Sequence, residues 1–189
     1  MAVVTKLERL REFALDQHGF VTSAQAGDAG VSHAELSTMV ARDRLERAVR
    51  GVYRVPQVAE TEYDEYQLAV LWTGVPEAHL SHDTALAAWE ISDINPSRIH
   101  LNVARHRRLR RAGGERYVVH YDDVDSHLVT WWQGIPTADV ATALGQCIAS
   151  GMPSYLIRQA LDRAGRTSRL PAPDRKRLTQ ELHVRDGGA

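Results

Sequence analysis

Residues 22–55 constrain this chain most: two short capped helical stretches run straight into a glycine-tipped hairpin, TSAQAGDAG-VSHAELSTMVARDRLE-RAVRGVYRV. Thr22 with Gln25, and Ser32 with Glu35, each fit a capping box. The hydroxyl accepts from the third helical amide, and the longer side chain reaches back to the cap amide. Gly30 suits the left-handed residue that closes the first helix, with Val31 packing beneath the turn. Along 33–43, Leu36, Met39, Val40 and Asp43 share one side at helical spacing, the first three facing a core. The other side presents Ala34, Ser37, Thr38 and Ala41, flanked by His33 and Arg42. Small and polar side chains let a helix enter a major groove closely, where a bulky acidic face would not.

The hairpin completes a winged helix-turn-helix pattern. Leu45–Val49 and Val52–Val55 are rich in β-formers, and Arg50-Gly51 supplies the tight turn. Arg42, Arg44, Arg47, Arg50 and Arg54 face only Asp43 and Glu46 in the same stretch. Fixed positive charge is what phosphate contacts require, while hydroxyls and an Arg at a base edge supply sequence preference. Upstream, Leu7, Leu10, Phe13 and Ala14 form an apolar stripe, so a first helix is expected over 5–17. The candidate DNA-contacting residues are therefore His33, Ser37, Thr38, Arg42, Arg44, Arg47, Arg50 and Arg54. The competing view is a plain packing unit with a solvated arginine hairpin; the order helix, capped helix, capped helix, hairpin favours DNA.

Net charge is −1 with a pI near 6.8, which argues against a generic polyanion binder. The charge is nonetheless segregated. Val55 to Ser97 lacks Lys and Arg, then Arg98 to Arg116 holds seven arginines against the single Glu115, and Tyr117 to Ile157 lacks basic residues again. Such blocks read as separate surfaces for separate partners. Cys147 is the one cysteine and has no internal disulfide partner, which together with the lack of a signal-peptide pattern or a long apolar run predicts a cytoplasmic protein away from membranes.

The polar joint 56–61 is the expected boundary between a DNA-binding domain at 1–58 and an α+β domain at 62–185. In the latter, helices are expected over 62–74 and 82–90, with Ser81 capping the second. Strands are expected at 99–103, 117–121 and 127–133. Thr137 then opens a helix that stops at Ser150-Gly151-Met152-Pro153, Ser154 caps another running to Gly165, and a last helix lies near 174–183. The sum is an α+β fold: an N-terminal winged helix-turn-helix, then a small sheet with packed helices.

The run RHRRLRR at 105–111 lies between two expected strands and should form an exposed loop. Arg105, Arg107, Arg108, Arg110 and Arg111 read there as a second basic patch, for DNA or for an acidic partner face; a solvated loop is the plain alternative. Metal chemistry finds little support. His79 and His82 flank a cap without a third ligand at recognisable spacing, and His100 and His120, though able to neighbour each other on paired strands, read as sheet surface. Asp122, Asp123 and Asp125 follow a strand as nuclease acids would, yet no Glu-x-Lys follows. No nucleophile elbow or phosphate-binding loop is present. No metal, cofactor or catalytic residue is expected.

With both halves in view, the chain resembles the AbiEi-type antitoxins of bacterial abortive-infection toxin–antitoxin pairs. The matching segments are RGVYRV (50–55), LSHDTALAAWEI (80–91), RIHLNVA (98–104) and GIPTADVATALGQCIASG (134–151). The resemblance implies a non-catalytic DNA-binding antitoxin that binds inverted repeats in its own promoter. It also implies that the second domain neutralises a co-expressed nucleotidyltransferase-like toxin. Two-fold operator symmetry would suit a homodimer on DNA. Alternatives are a stand-alone winged-helix regulator whose second domain senses a ligand or dimerises, and, further off, a DNA endonuclease.

Overall fold

A computed structural model describes residues 5–187, so the first four residues of the expected N-terminal domain lie outside it. The chain divides into two compact units. The first runs to Pro76 and includes 111–113 and 133–135; the second comprises Glu77–Arg110, Gly114–Trp132 and the chain from Pro136.

In the first unit, α1 (Lys6–Leu15), α2 (Ser23–Asp28) and α3 (His33–Ala41) each begin at a reciprocal capping box: Thr5 with Glu8, Thr22 with Gln25, Ser32 with Glu35. Three such boxes satisfy amide donors that short helices would otherwise leave orphaned at their starts. Gly30 takes up φ +76 behind α2, and Asp43 ends α3 at φ +53, a conformation its short polar side chain tolerates. Leu10, Ala14, Val21, Leu36, Leu45, Tyr53 and Val55 close one shared core. Leu10 and Leu36 are fully buried, and each such leucine contributes roughly 1.5–3 kcal/mol.

The wing is β2 (Glu46–Val49) and β3 (Val52–Arg54), antiparallel, turning at Arg50-Gly51 with Gly51 at φ +77. A third strand, β1 (Phe20–Thr22), pairs with β3 in the order β1-β3-β2. Sequence reading missed β1 because three residues between two helices are too few to show an alternation. Helix α4 (Asp64–Thr73), ending at Gly74 with φ +64, packs on β1 and β3 and groups with this first unit. The sequence places the domain boundary before this helix, whereas its contacts with β1 and β3 group it with the winged unit.

The second unit carries a five-stranded sheet in the order β6-β5-β4-β8-β7, made of β4 (His79–Leu80), β5 (Ile99–Val103), β6 (Tyr117–Tyr121), β7 (Val129–Trp132) and β8 (Ile135–Ala138). β5 pairs antiparallel with β4 and parallel with β6. Helices α5 (His82–Ala88), α6 (Val140–Ala149), α7 (Ser154–Arg166) and α8 (Ala172–Arg185) build the main core, with α6 against the other three. On α7 the buried Ile157, Ala160, Leu161 and Ala164 fall at helical spacing, so one stripe faces inward.

Three local expectations are corrected. Thr137 belongs to β8 and does not open α6; Asp139 is the cap, its carboxylate accepting from Thr142 N at 2.7 Å. Ser154 is the first residue of α7 and donates to Asp186 at 2.7 Å instead of capping. Ser81 stands at the cap position of α5 without a capping bond, its hydroxyl lying 3.0 Å from His82 Nδ1. For Thr137, paired with Leu80 of β4, and for Ser154 a tertiary partner overrides the local pattern; for Ser81 the adjacent His82 ring takes the hydroxyl.

Candidate nucleic-acid interface

Helix α3 is held from behind by Leu36, with Met39 and Val40 half-buried on the same core, and displays its opposite face to solvent. His33, Ala34, Ser37, Thr38, Ala41 and Arg42 are all exposed. At about 1.5 Å per residue, nine residues span a length suited to a groove. Ser37 donates its hydroxyl proton to His33 O (3.0 Å), and Thr38 donates to Ala34 O (2.9 Å). Both hydroxyls therefore point their remaining lone pairs outward as acceptors.

Glu35, the acid in the first turn of α3, is neutralised in place. Its carboxylate takes Lys6 Nζ at 2.6 Å and accepts from Ser32 N and Ser32 Oγ at 2.9 Å each. These bonds, Lys6 foremost, pull its pKa down to about 2. The sequence reading paired Glu35 with its cap and missed Lys6, because α1 and α3 meet only in the folded core.

On the wing, Arg47 and Arg50 are exposed, as are Arg42 and Arg44 at the end of α3. Arg111, grouped with this unit, donates to Arg50 O at 3.2 Å. A cation from the distant basic run thus stands at the wing turn, which no local pattern could have indicated.

Arg54 is a correction. Its side chain is only 10% exposed and pairs with Asp64 at 2.6 Å. It also donates to Val58 O (3.1 Å) and His18 O (3.3 Å) and lies over the Phe20 ring. A Cβ on Gly19 would approach Arg54 Nη1 to 3.1 Å, so the glycine at φ +86 makes room for the guanidinium. Arg54 joins the strand sheet to α4 and is unavailable to phosphate.

The basic run of the second unit is partly self-neutralised. Arg107 grips Glu77 with two bonds (2.6 and 3.0 Å), holding that carboxyl below its usual range. Arg105 pairs with Asp122 at 3.0 Å, and its backbone amide donates to Asp123 Oδ1 at 3.0 Å. Arg108 donates to the carbonyls of Arg105 and Arg107, both at 2.8 Å, and Arg108 and Arg110 are exposed. Of the acids considered for a nuclease centre, Asp122 and Asp123 thus serve this loop.

A further constellation was passed over in the sequence. His82, His100 and His120 converge, although spacing along the chain offers His82 no third ligand and the other two read as sheet surface. Burial lowers the pKa of all three, that of His82 to about 3, with the neighbouring His120 and His100 adding to the effect on His82. Spacing along the chain carried no signal, since the three lie on separate elements.

Residues 8–56, covering α1 to the wing, match the family described as "Transcriptional regulator, AbiEi antitoxin". That match covers 49 of the chain's 189 residues, the N-terminal helices and the wing. No curated protein matches the chain. A crystal structure of the RV2827C protein from Mycobacterium tuberculosis aligns over 96% of this chain and 83% of that one, at 16% identity and a TM-score of 0.44. Among the described residues no helix is long and apolar enough to cross a membrane.

Proposed function

We propose that this chain is a DNA-binding antitoxin that occupies inverted repeats in its own promoter and neutralises a co-expressed nucleotidyltransferase-like toxin. The observation that carries the DNA reading is the small-residue face of α3, set in a helix-turn-helix frame beside an arginine-bearing wing. Ser37 and Thr38 accept from base-edge donors such as the amino groups of adenine or cytosine, their own protons being held by the helix. Arg42 and His33 flank them. Arg44, Arg47, Arg50 and Arg111 supply phosphate contacts, which set affinity and register. Lys6 cancels the one acid of the helix start and so removes a repulsive charge from the duplex side.

The second unit binds the toxin by this reading, with Arg108 and Arg110 as its exposed basic surface. It performs no catalysis, and the setting is cytoplasmic. Two copies on a two-fold operator account for repression by occupancy. A second reading, a winged-helix regulator whose second unit senses a ligand, is favoured by an open cleft of about 480 Å³ lined by His82, His120, Asp122 and Gln146.

The deciding experiment is a gel shift of the full chain on its own upstream DNA against a shuffled duplex, at several salt concentrations. Preference for the upstream DNA by at least roughly 10³-fold, the low end of specific binding, supports the repressor reading. Equal binding to both duplexes refutes it. Rescue of growth when the chain is co-expressed with a neighbouring nucleotidyltransferase-like protein tests the antitoxin half; no rescue leaves the regulator reading.

A further inference from the structure

The second unit brings three imidazoles together from three elements. Leu80 of β4 pairs with Leu101 of β5, and Ser81 N donates to His100 O at 3.0 Å, which sets His82 beside β5 at the start of α5. Parallel pairing of β5 with β6 places Asn102 opposite His120, so His120 lies diagonal to His100. One nitrogen from each ring lies within 4.8 Å of the other two. We propose that His82, His100 and His120 bind a divalent transition-metal ion of the zinc class.

The distances carry this. His120 Nε2 and His100 Nδ1 are 3.1 Å apart. A tetrahedral ion with nitrogens at about 2.0–2.1 Å has an N–N edge of about 3.3 Å, so this pair already has nearly the spacing of two ligands. Asp83 Oδ1 stands 3.2 Å from the same His100 nitrogen and supplies a carboxylate against the ion's charge. His82 Nδ1 is engaged by Ser81 Oγ at 3.0 Å, which leaves Nε2 as its ligating nitrogen. Neutral imidazole is the form that ligates, so uptake should strengthen as pH rises through the histidine range. Three imidazoles select zinc, copper, nickel or cobalt over magnesium and calcium, which prefer oxygen.

One rearrangement is required. The His82 and His120 rings stack with centroids 3.5 Å apart and planes 17° from parallel, so their lone pairs run side by side. Binding turns the His82 ring until its Nε2 converges with the other two nitrogens. The cleft lined by His82, His120 and Gln146 gives the ion access and leaves room for a water in the open position. The buried Gln146 Nε2, which has no hydrogen-bond partner among the described residues, is a donor available near that water. This site is independent of the DNA and toxin readings.

The test uses the full chain, stripped with a chelator, then titrated with Zn²⁺ by calorimetry and with Co²⁺ by visible absorption. One ion per chain and the intense visible bands of a tetrahedral Co²⁺ centre are expected. His82→Gln and His120→Gln should each weaken binding by more than the roughly 10–100-fold that a supporting residue commands, and Asp83→Asn by about that range. His127→Gln, at an exposed histidine outside the cluster, should change nothing. Should a cluster variant fail to fold, NMR of the wild-type chain decides: Zn²⁺ must shift the imidazole signals of His82, His100 and His120 ahead of those of His127 and His183. Absence of saturable uptake, undiminished binding by folded cluster variants, or shifts confined to other histidines would each overturn the site.

Discussion

Replacing Arg54 by Ala separates a structural arginine from a phosphate-binding one. Truncation removes the 2.6 Å pair with Asp64, the bonds to Val58 O and His18 O, and the stacking over Phe20. A hydrogen bond between charged groups contributes about 1.5–3 kcal/mol and each carbonyl bond about 0.5–1.5 kcal/mol. Asp64 keeps Thr61 N at 3.0 Å and Thr61 Oγ1 at 2.7 Å, so its charge is not left bare. That places the loss near the lower end of the roughly 3–5 kcal/mol typical of a broken buried pair. Glu60 adds little, being 85% exposed and 3.8 Å away. A loss of about 3 kcal/mol lowers the melting temperature of a unit this small by roughly 12–25 °C. Arg47→Ala, at an exposed position, should shift stability by no more than about 0.5 kcal/mol. Thermal and urea unfolding by circular dichroism measure both, and salt-dependent DNA binding completes the comparison. The reasoning is refuted if R54A melts like the wild type and flattens the salt slope as a phosphate contact would.

Further outcomes are equally concrete. Arg47→Ala with Arg50→Ala should weaken operator and random DNA alike and reduce the slope of log K against log salt by about 1.8, since each lost phosphate contact contributes about 0.9; an unchanged slope removes the wing from the interface. Thr38→Val keeps the shape of α3 but loses the outward acceptor, so operator preference over random DNA should fall by about 1 kcal/mol, read by competition gel shift. Glu35 has its folded pKa depressed to about 2, so its contribution is complete above the unfolded value near 4.5 and is lost as pH falls towards 2. Denaturation series from pH 6 to pH 2 should show a shallower acid loss for Glu35→Gln, and parallel curves would contradict the Lys6 pairing. Lys6→Ala should weaken DNA binding by uncovering the Glu35 charge, most visibly at low salt; binding equal to the wild type at low salt would show that this acid lies away from the duplex.

Periodicity and cap chemistry along residues 22–55 were sufficient for the winged unit, because capping boxes and a glycine turn are local: each forms within three or four residues of its own start. Core positions such as Leu36 and Val70 followed from helical spacing for the same reason. Short strands without a hairpin turn signal of their own were not legible. β1, β4 and β8 hold no more than four residues each; β1 and β4 gain their hydrogen bonds from partners far along the chain, and β8 is held by β4 as well as by the adjacent β7. Charge was the least readable property. Arg47 and Arg54 look alike in a string of letters, yet one faces solvent and the other is enclosed with Asp64.

What the amino-acid order determined by itself is where helices begin, which faces are greasy and which helix remains lightly decorated. Those are nearest-neighbour matters of hydrogen bonding and period. Tertiary structure alone decided which arginines are free, that Lys6 cancels Glu35, and that His82, His100 and His120 meet, because each depends on through-space distance between segments that chain spacing does not encode.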